Sequence, residues 1–303
     1  MTILQLKYVI AIDEECSMRK AADRLYVSQP GLSSAVRDLE NELGIQIFER
    51  VHNGVVTTSA GASFIAYARH AVEQFEIIEN KYLDAVKEKP SFSVSMQHYT
   101  FAVNAFMSVI EQYGMDEYEF EVHETRTYDV IDNVRNMKSE IGVLYMNDYN
   151  RTVLQKILRD AGLKFTPLFD CSIYAYMSKS NPLAEKKQIT MKDLDKYPCL
   201  AFSQGEHNSF YFAEEVLSTY EYKRLIRVSD RATILNMMIG LNGYTLCSGI
   251  ICEDLNGTDY CAVKLKTKEK MTIGYISRKH SKLSEMGQKY IEELSKYKEK
   301  VLD

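Results

Sequence analysis

The chain has 303 residues, 46% of them hydrophobic, with 37 Lys and Arg against 42 Asp and Glu and a net charge of −5. That length and composition support two or three domains with a sizeable core and exclude a disordered chain. No apolar run reaches membrane-spanning length, and the first residues lack the pattern of a secretory signal, so the expected compartment is the cytoplasm with no membrane partner.

A first helix is predicted over residues 3–15, with Leu6, Val9, Ile10 and Asp13 in a helical repeat and Ile3 and Leu4 anchoring its start. Ser17 caps a second helix whose Met18, Ala21, Ala22 and Leu25 share a face. Tyr26 and Val27 carry the chain through a tight turn to Ser28, the next N-cap. Gln29 and Pro30 follow in the first turn, where a missing N–H costs nothing. Leu32, Val36, Leu39 and Leu43 form one apolar stripe, and Gly44 ends the helix. The other face carries Pro30, Ser33, Ser34, Arg37 and Asn41. A helix fixed to a core by one face, with a compact polar face outward, fits a major groove; the same spacing also describes an ordinary helical hairpin.

Asn53-Gly54, between short β-prone runs, is the strongest hairpin signal in the chain and predicts a wing beside the helices. Arg50 at its base is placed to reach a phosphate or the minor groove; a surface ion pair with Glu49 or Asp38 is the alternative. Charge opposes this reading, because residues 1–89 hold ten Lys and Arg against thirteen Asp and Glu. Geometry must therefore concentrate the cations, drawn from Arg19, Lys20, Arg24, Arg37 and Arg50.

Thr58 caps a long helix running to about residue 86. Gly61, Phe64, Ala68, Ala71, Phe75, Ile78, Tyr82 and Ala85 recur at alternating spacings of three and four. Such a seam predicts a partner helix, hence a homodimer or homotetramer, or else one face buried against the helix's own domain. Two DNA-reading units held by that helix imply double-stranded DNA with a two-fold operator.

After a charged hinge at 87–91, strands and helices alternate. Strands are predicted at 91–97, 117–124 and 140–146, with helices at 100–113, 128–138 and 152–161, an order that implies a parallel sheet covered on both faces. Two β-rich pieces at 164–177 follow, then strands at 199–203, 226–229, 244–248, 263–266 and 271–278. Helices are expected at 190–196, 208–220, 230–241 and 284–298.

This order of elements resembles the LysR-type transcriptional regulators. The resemblance is carried by Ser17, Ala21-Ala22, Leu25, Ser28-Gln29-Pro30, Leu32-Ser33, Leu39-Glu40, Leu43-Gly44, Phe48, Arg50, Thr57 and Gly61, and more loosely by Asn181-Pro182-Leu183-Ala184 and residues 240–249. It implies a fold that is α/β overall: a winged helix-turn-helix (1–58), a dimerisation linker helix with hinge (59–89) and a two-lobed, periplasmic-binding-protein-like effector domain (90–303). Crossovers are placed near 165–168 and 263–268, giving lobe I as 91–164 plus 268–303 and lobe II as 165–267. Two departures stand out. Ser34 occupies a position where relatives usually carry a cation, and Gly142 one where they commonly carry an acid.

The resemblance implies DNA contacts from Ser28, Gln29, Pro30, Ser33, Ser34, Arg37 and Arg50, and a dimer seam of Phe64, Ala68, Ala71, Phe75, Ile78 and Tyr82. In an α/β lobe, ligands sit beyond the carboxyl ends of strands. Those ends offer His98, Tyr99 and Thr100, then Thr125, Arg126 and Thr127, and in lobe II Ser203, Gln204 and Ser248. Hydroxyls, an amide and one Arg suit a small anionic or zwitterionic effector, although each Ser or Thr can equally be a helix cap.

The sequence does not read as an enzyme: it lacks G-x-G-x-x-G, P-loop, G-x-S-x-G and H-E-x-x-H patterns. His52, His70, His98, His123, His207 and His280 are scattered, and no metal or cofactor is implied. Cys16, Cys171, Cys199, Cys247, Cys252 and Cys261 show no C-x-x-C pair. A thiol-based redox-sensing regulator of the same fold is the alternative function. It needs a thiol of lowered pKa, and the surroundings of Cys199 and Cys252 are not electropositive.

Overall fold

In the computed structural model, which describes residues 1–51, 54–82, 89–114 and 117–300, helix α1 (Ile3–Glu15) starts at a capping box. The Thr2 side chain accepts the Gln5 N–H, and the Gln5 side chain accepts the Thr2 N–H. Ser17 caps α2 (Met18–Arg24), and Ser28 caps α3 (Gln29–Leu43), which ends at Gly44 with φ 67°. Leu32, Val36 and Leu39 of α3 are buried against Val9, Ile12, Ala21 and Ala22 in one core. Strands β1 (Phe48–Val51) and β2 (Gly54–Thr57) pair antiparallel as the wing. Asn53, expected at their turn, lies outside the described residues.

Helix α4 (Ser59–Tyr82) begins where Thr58 Oγ1 accepts the Gly61 N–H at 2.9 Å. A Cβ on Gly61 would sit 2.2 Å from the Ile47 carbonyl oxygen, so only glycine lets α4 come this close to the wing. The expected seam is corrected here. Ala68, with Ile65 and Val72, is buried in the core of its own domain, and Phe75 is half-buried with Lys7 Nζ 5.9 Å from its ring centroid. Phe64 is half-buried, whereas Tyr67, Ala71, Ile77 and Ile78 are exposed. Positions three apart on an α-helix lie about 60° apart around the axis. One edge of the stripe therefore faces α1 while the other faces outward. The side chain of Tyr82 lies outside the described residues.

The chain divides into two units, Met1–Lys87 and Glu88–Asp303. The second opens with β3 (Ser91–Met96), α5 (Thr100–Tyr113), β4 (Glu119–Glu124), α6 (Thr127–Arg135), β5 (Ile141–Met146), α7 (Arg151–Asp160) and β6 (Leu163–Cys171). It continues into a second lobe through β7 (Tyr174–Ser178), β8 (Gln188–Ile189), α8 (Met191–Leu194), β9 (Cys199–Phe202), β10 (Leu225–Val228), α9 (Arg231–Leu241), β11 (Tyr244–Cys247), α10 (Glu253–Asn256) and β12 (Tyr260–Leu265). It then returns to the first lobe with β13 (Met271–Arg278) and α11 (Glu285–Lys296). The first sheet has five strands in the order β4-β3-β5-β13-β6, the second six in the order β10-β9-β11-β7-β12-β8. Both are mixed rather than parallel, because β13 runs antiparallel to β5 and β6, and β7 antiparallel to β11 and β12.

Strand β6 stays paired with β13 as far as Cys171 opposite Met271. The crossovers therefore lie at 172–173 and 266–270 rather than 165–168 and 263–268, and lobe I extends to Cys171. One apolar cluster runs through this join, from Phe101 and Phe169 by way of Ile173 to Ala175 and Leu246.

The helix expected at 208–220 is absent. Short 3₁₀ turns, Gly205–His207 and Phe210–Phe212, stand in its place. The physical reason is that backbone carbonyls here accept from lobe I side chains. Phe212 O accepts from Thr127 Oγ1 at 2.7 Å, and Ala213 O and Glu215 O accept from Tyr145 Oη at 3.0 and 3.2 Å. Those acceptors are unavailable to a helix ladder.

Candidate functional site

In the first unit, the outer face of α3 matches the residues singled out for DNA contact. Ser28, Gln29, Pro30, Ser34 and Arg37 are exposed, and Ser33 is half-buried. Ser28 Oγ accepts the Gly31 N–H at 3.3 Å, so its hydroxyl also caps the helix. Gln29 Nε2 donates to Ser33 Oγ at 3.1 Å, which holds two polar side chains of that face together. Arg24 is taken up by Glu14 and Glu15, and Arg69 by Asp13 and Glu14. Arg37 and Arg50 are exposed and form no ion pair among the described residues. Sequence reasoning passed over Tyr26, which is 97% exposed in the turn between α2 and α3 and held at φ 55°.

In the second unit, a cavity of about 90 Å³ lies between the lobes. Lobe I contributes His98, Tyr99, Thr100 and Phe101; lobe II contributes Tyr176, Phe202, Glu214, Glu215, Arg231, Thr245, Ser248 and Asn256 among others. His98, Tyr99, Thr100 and Ser248 thus reach the cavity as expected from the strand ends. Thr125, Arg126, Thr127, Ser203 and Gln204 do not line it. Thr125 Oγ1 donates to Asp129, and Ser203 Oγ accepts the Gly205 N–H, both local turns. Arg126 lies over Gly205, where a Cβ would meet its guanidinium at 2.4 Å. Thr127 is buried and bonded to Gln97, Gln204 and Phe212. Gly142 lies between Val130 and Ile276, where a Cβ would find no room, so the position offers nothing to the cleft.

Three lobe II side chains, Glu214, Arg231 and Asn256, bond across the cleft at the cavity. His98 of lobe I meets Glu214 of lobe II, with Nδ1 to Oε2 at 2.8 Å and the backbone N–H to Oε2 at 2.9 Å; both side chains are almost wholly buried. The His98 ring stacks on Phe202 at 3.6 Å between centroids. Arg231, at the first position of α9, reaches from lobe II to Thr100 Oγ1 and Glu124 of lobe I. Asn256 Nδ2 donates to Thr100 Oγ1 at 3.2 Å and to Tyr176 Oη at 3.3 Å. The Thr245 hydroxyl, on β11, is buried against the cavity with no hydrogen-bond partner among the described residues.

Burial, and then the charge of Glu214, push the Glu215 carboxyl up to about 8, while the Phe202 N–H it accepts works the other way. Burial lowers Arg231 to about 10. Burial also pushes the thiols of Cys171, Cys199 and Cys247 up to about 12. Glu214, Glu215, Arg231 and Asn256 were missed from sequence because they lie in a loop, at the start of α9 and at the end of α10, and meet the strand ends only in three dimensions. Among the described residues no cluster of three or more His, Cys, Asp or Glu is arranged to hold a metal ion.

Residues 3–62 match the family model described as "Bacterial regulatory helix-turn-helix protein, lysR family", and residues 100–298 match "LysR substrate binding domain". The chain belongs to the LysR family. It is accordingly a DNA-binding transcriptional regulator with a two-lobed substrate-binding domain. A relative from Pectobacterium carotovorum, named a hydrogen peroxide-inducible genes activator, is 24% identical over 305 residues, covering 93% of this chain and 92% of that one. The Hca operon transcriptional activator HcaR of Escherichia coli is 24% identical over 258 residues, 82% of each chain. Among solved structures, full-length CbnR complexed with its target DNA aligns with TM-score 0.51 at 20% identity, covering 98% of this chain and 99% of that one. Among the described residues no helix of this LysR protein is long and apolar enough to cross a membrane.

The Glu215 carboxyl leads to a pH prediction. Its folded pKa, about 8, lies above the ordinary 4.5. Between those values the folded chain holds a proton that the unfolded chain has released, so stability falls as pH rises through that window. The slope is at most about 1.4 kcal/mol per pH unit. Denaturant titrations at pH 5 to 8.5 should show this decline, and Glu215→Gln should flatten it.

Proposed function

We propose that this LysR protein acts in the cytoplasm as a dimer or tetramer, not as an enzyme, and that a small molecule bound between the lobes changes its grip on DNA. The cavity supports this reading: its walls come from both lobes, and the bonds from Arg231 and Asn256 to Thr100 cross it. A molecule entering there must rearrange contacts that set the lobe-to-lobe geometry, which is the differential interaction a ligand-driven switch requires. DNA reading is assigned to Ser28, Gln29, Pro30, Ser33, Ser34 and Arg37 on α3, with Arg50 on the wing.

The outward edge of α4, Phe64, Tyr67, Ala71 and Ile78, is the proposed dimer seam in place of the full stripe. Its Ile78 is 54% exposed, and a side chain left out of its own core is available to a partner helix. Some relatives are named for a response to hydrogen peroxide. For Cys171, Cys199 and Cys247, burial works against such a role, whereas Cys16 is exposed. A thiol whose pKa rises to about 12 is almost entirely protonated at neutral pH, and it is the thiolate that attacks peroxide.

Operators selected from a random duplex pool provide the test of DNA reading. Arg37→Ala and Arg50→Ala should each weaken binding about tenfold. Arg50→Ala should do so for every sequence alike and reduce the salt slope by about 1; unchanged affinity in both variants would remove the α3 docking. Ile78→Asp should lower the mass seen by light scattering without unfolding the first unit, whereas native mass would place the seam elsewhere. Hydrogen peroxide added to the wild-type protein should leave operator affinity unchanged, and a peroxide-dependent change would restore the thiol reading.

A further inference from the structure

We propose that Glu214 is an internal carboxylate ligand, seated on His98 of lobe I, and that the cavity beside it consequently takes an uncharged polar molecule of a few non-hydrogen atoms rather than an anion. This rests on the reading of the cleft as the ligand site, and it departs from the anionic or zwitterionic effector that the strand-end residues suggested.

The seat is built as an anion site and is already filled. Glu214 Oε2 accepts the His98 backbone N–H at 2.9 Å and lies 2.8 Å from Nδ1, while Oε1 accepts from Gln204 Nε2 at 2.9 Å. A carboxylate held by a backbone N–H, an imidazole and an amide is bonded as a bound acid would be.

Charge accounting around the cavity gives the same answer. The His98–Glu214 pair carries no net positive charge in either protonation state of the ring. Arg231 is committed to Glu124 and Thr100. Glu215 holds its proton at pH 7, as its burial requires. Among the described residues, no cation facing the cavity is left uncompensated, so an entering anion would give up water without gaining a counter-charge. The polar groups that remain are neutral. The Thr245 hydroxyl is buried without a partner among the described residues, and the Glu215 carboxyl, whose Oε1 takes the Phe202 N–H, lines the same cavity. Such groups suit an amide, carbonyl or hydroxyl. Around them, Phe101, Ile234, Leu235 and Met238 supply an apolar wall for a short hydrocarbon body.

Propionamide and propionate have nearly the same shape and differ in charge, and their binding to the full chain can be compared by saturation-transfer NMR and thermal shift at pH 7. The wild-type protein should bind propionamide at least about tenfold more tightly than propionate, and Thr245→Val should lose the amide. Glu214→Ala should reverse the preference, binding propionate saturably and recovering melting temperature with it. Propionate binding to the wild type that depends on Thr245 would overturn the inference while leaving the cleft as the ligand site. If neither probe binds in a Thr245-dependent way, the cleft reading falls as well. Where Glu214→Ala does not fold in plain buffer, refolding that needs propionate supports the seat, and refolding that is equal in both probes, or absent in both, refutes it.

Discussion

The buried contact between His98 and Glu214 is the constraint on which the second unit's cleft depends. Two ionisable side chains that are almost wholly buried would each be strongly destabilising alone. They are tolerated because both carboxylate oxygens of Glu214 have partners and the His98 ring lies flat on Phe202. Through that contact, the loop after β9 is fastened to the loop after β3, and the lobes share a wall. The segment from Gln204 to Glu215 then gives up helical hydrogen bonding, because its carbonyls and side chains satisfy Thr127 and Tyr145 of the other lobe.

That exchange also explains which strand-end residues face the cavity. A hydroxyl beyond a strand can bind a ligand or tie down its own chain. Thr127 does the second, its hydroxyl taken up by Gln97 and Phe212 away from the cavity. Thr100 stands between, since it lines the cavity while Arg231 and Asn256 of the opposite lobe reach it. Contacts made across a cleft are the ones a change in lobe spacing must break.

The first unit applies a similar economy to one helix. Alternating spacings of three and four in α4 put two edges of one apolar stripe about 60° apart. Ile65, Ala68 and Val72 complete the core around α1, which α3 and the wing also need. Tyr67, Ala71 and Ile78 remain outside. The helix thus completes the core of the first unit and leaves an apolar edge outside it.

Local chemistry determined much of this protein without reference to tertiary structure. The caps at Ser17, Ser28 and Thr58, the glycine stop at Gly44 and the apolar stripe of α3 act within a turn or two of the chain, so they are legible in order along it. The same holds for the alternation of strands and helices after residue 90. Tertiary structure alone decided which edge of α4 is spent on its own core and where β6 leaves the first sheet. It also decided that residues 208–220 are docked rather than helical, and that Glu214, Arg231 and Thr245 meet His98 and Thr100. These outcomes turn on partners more than a hundred residues apart in several cases, as with His98 and Glu214. A periodic pattern states that a face is apolar or that a loop is polar; it does not carry the identity of the group on the other side, and that identity sets both the charge and the occupancy of the cleft.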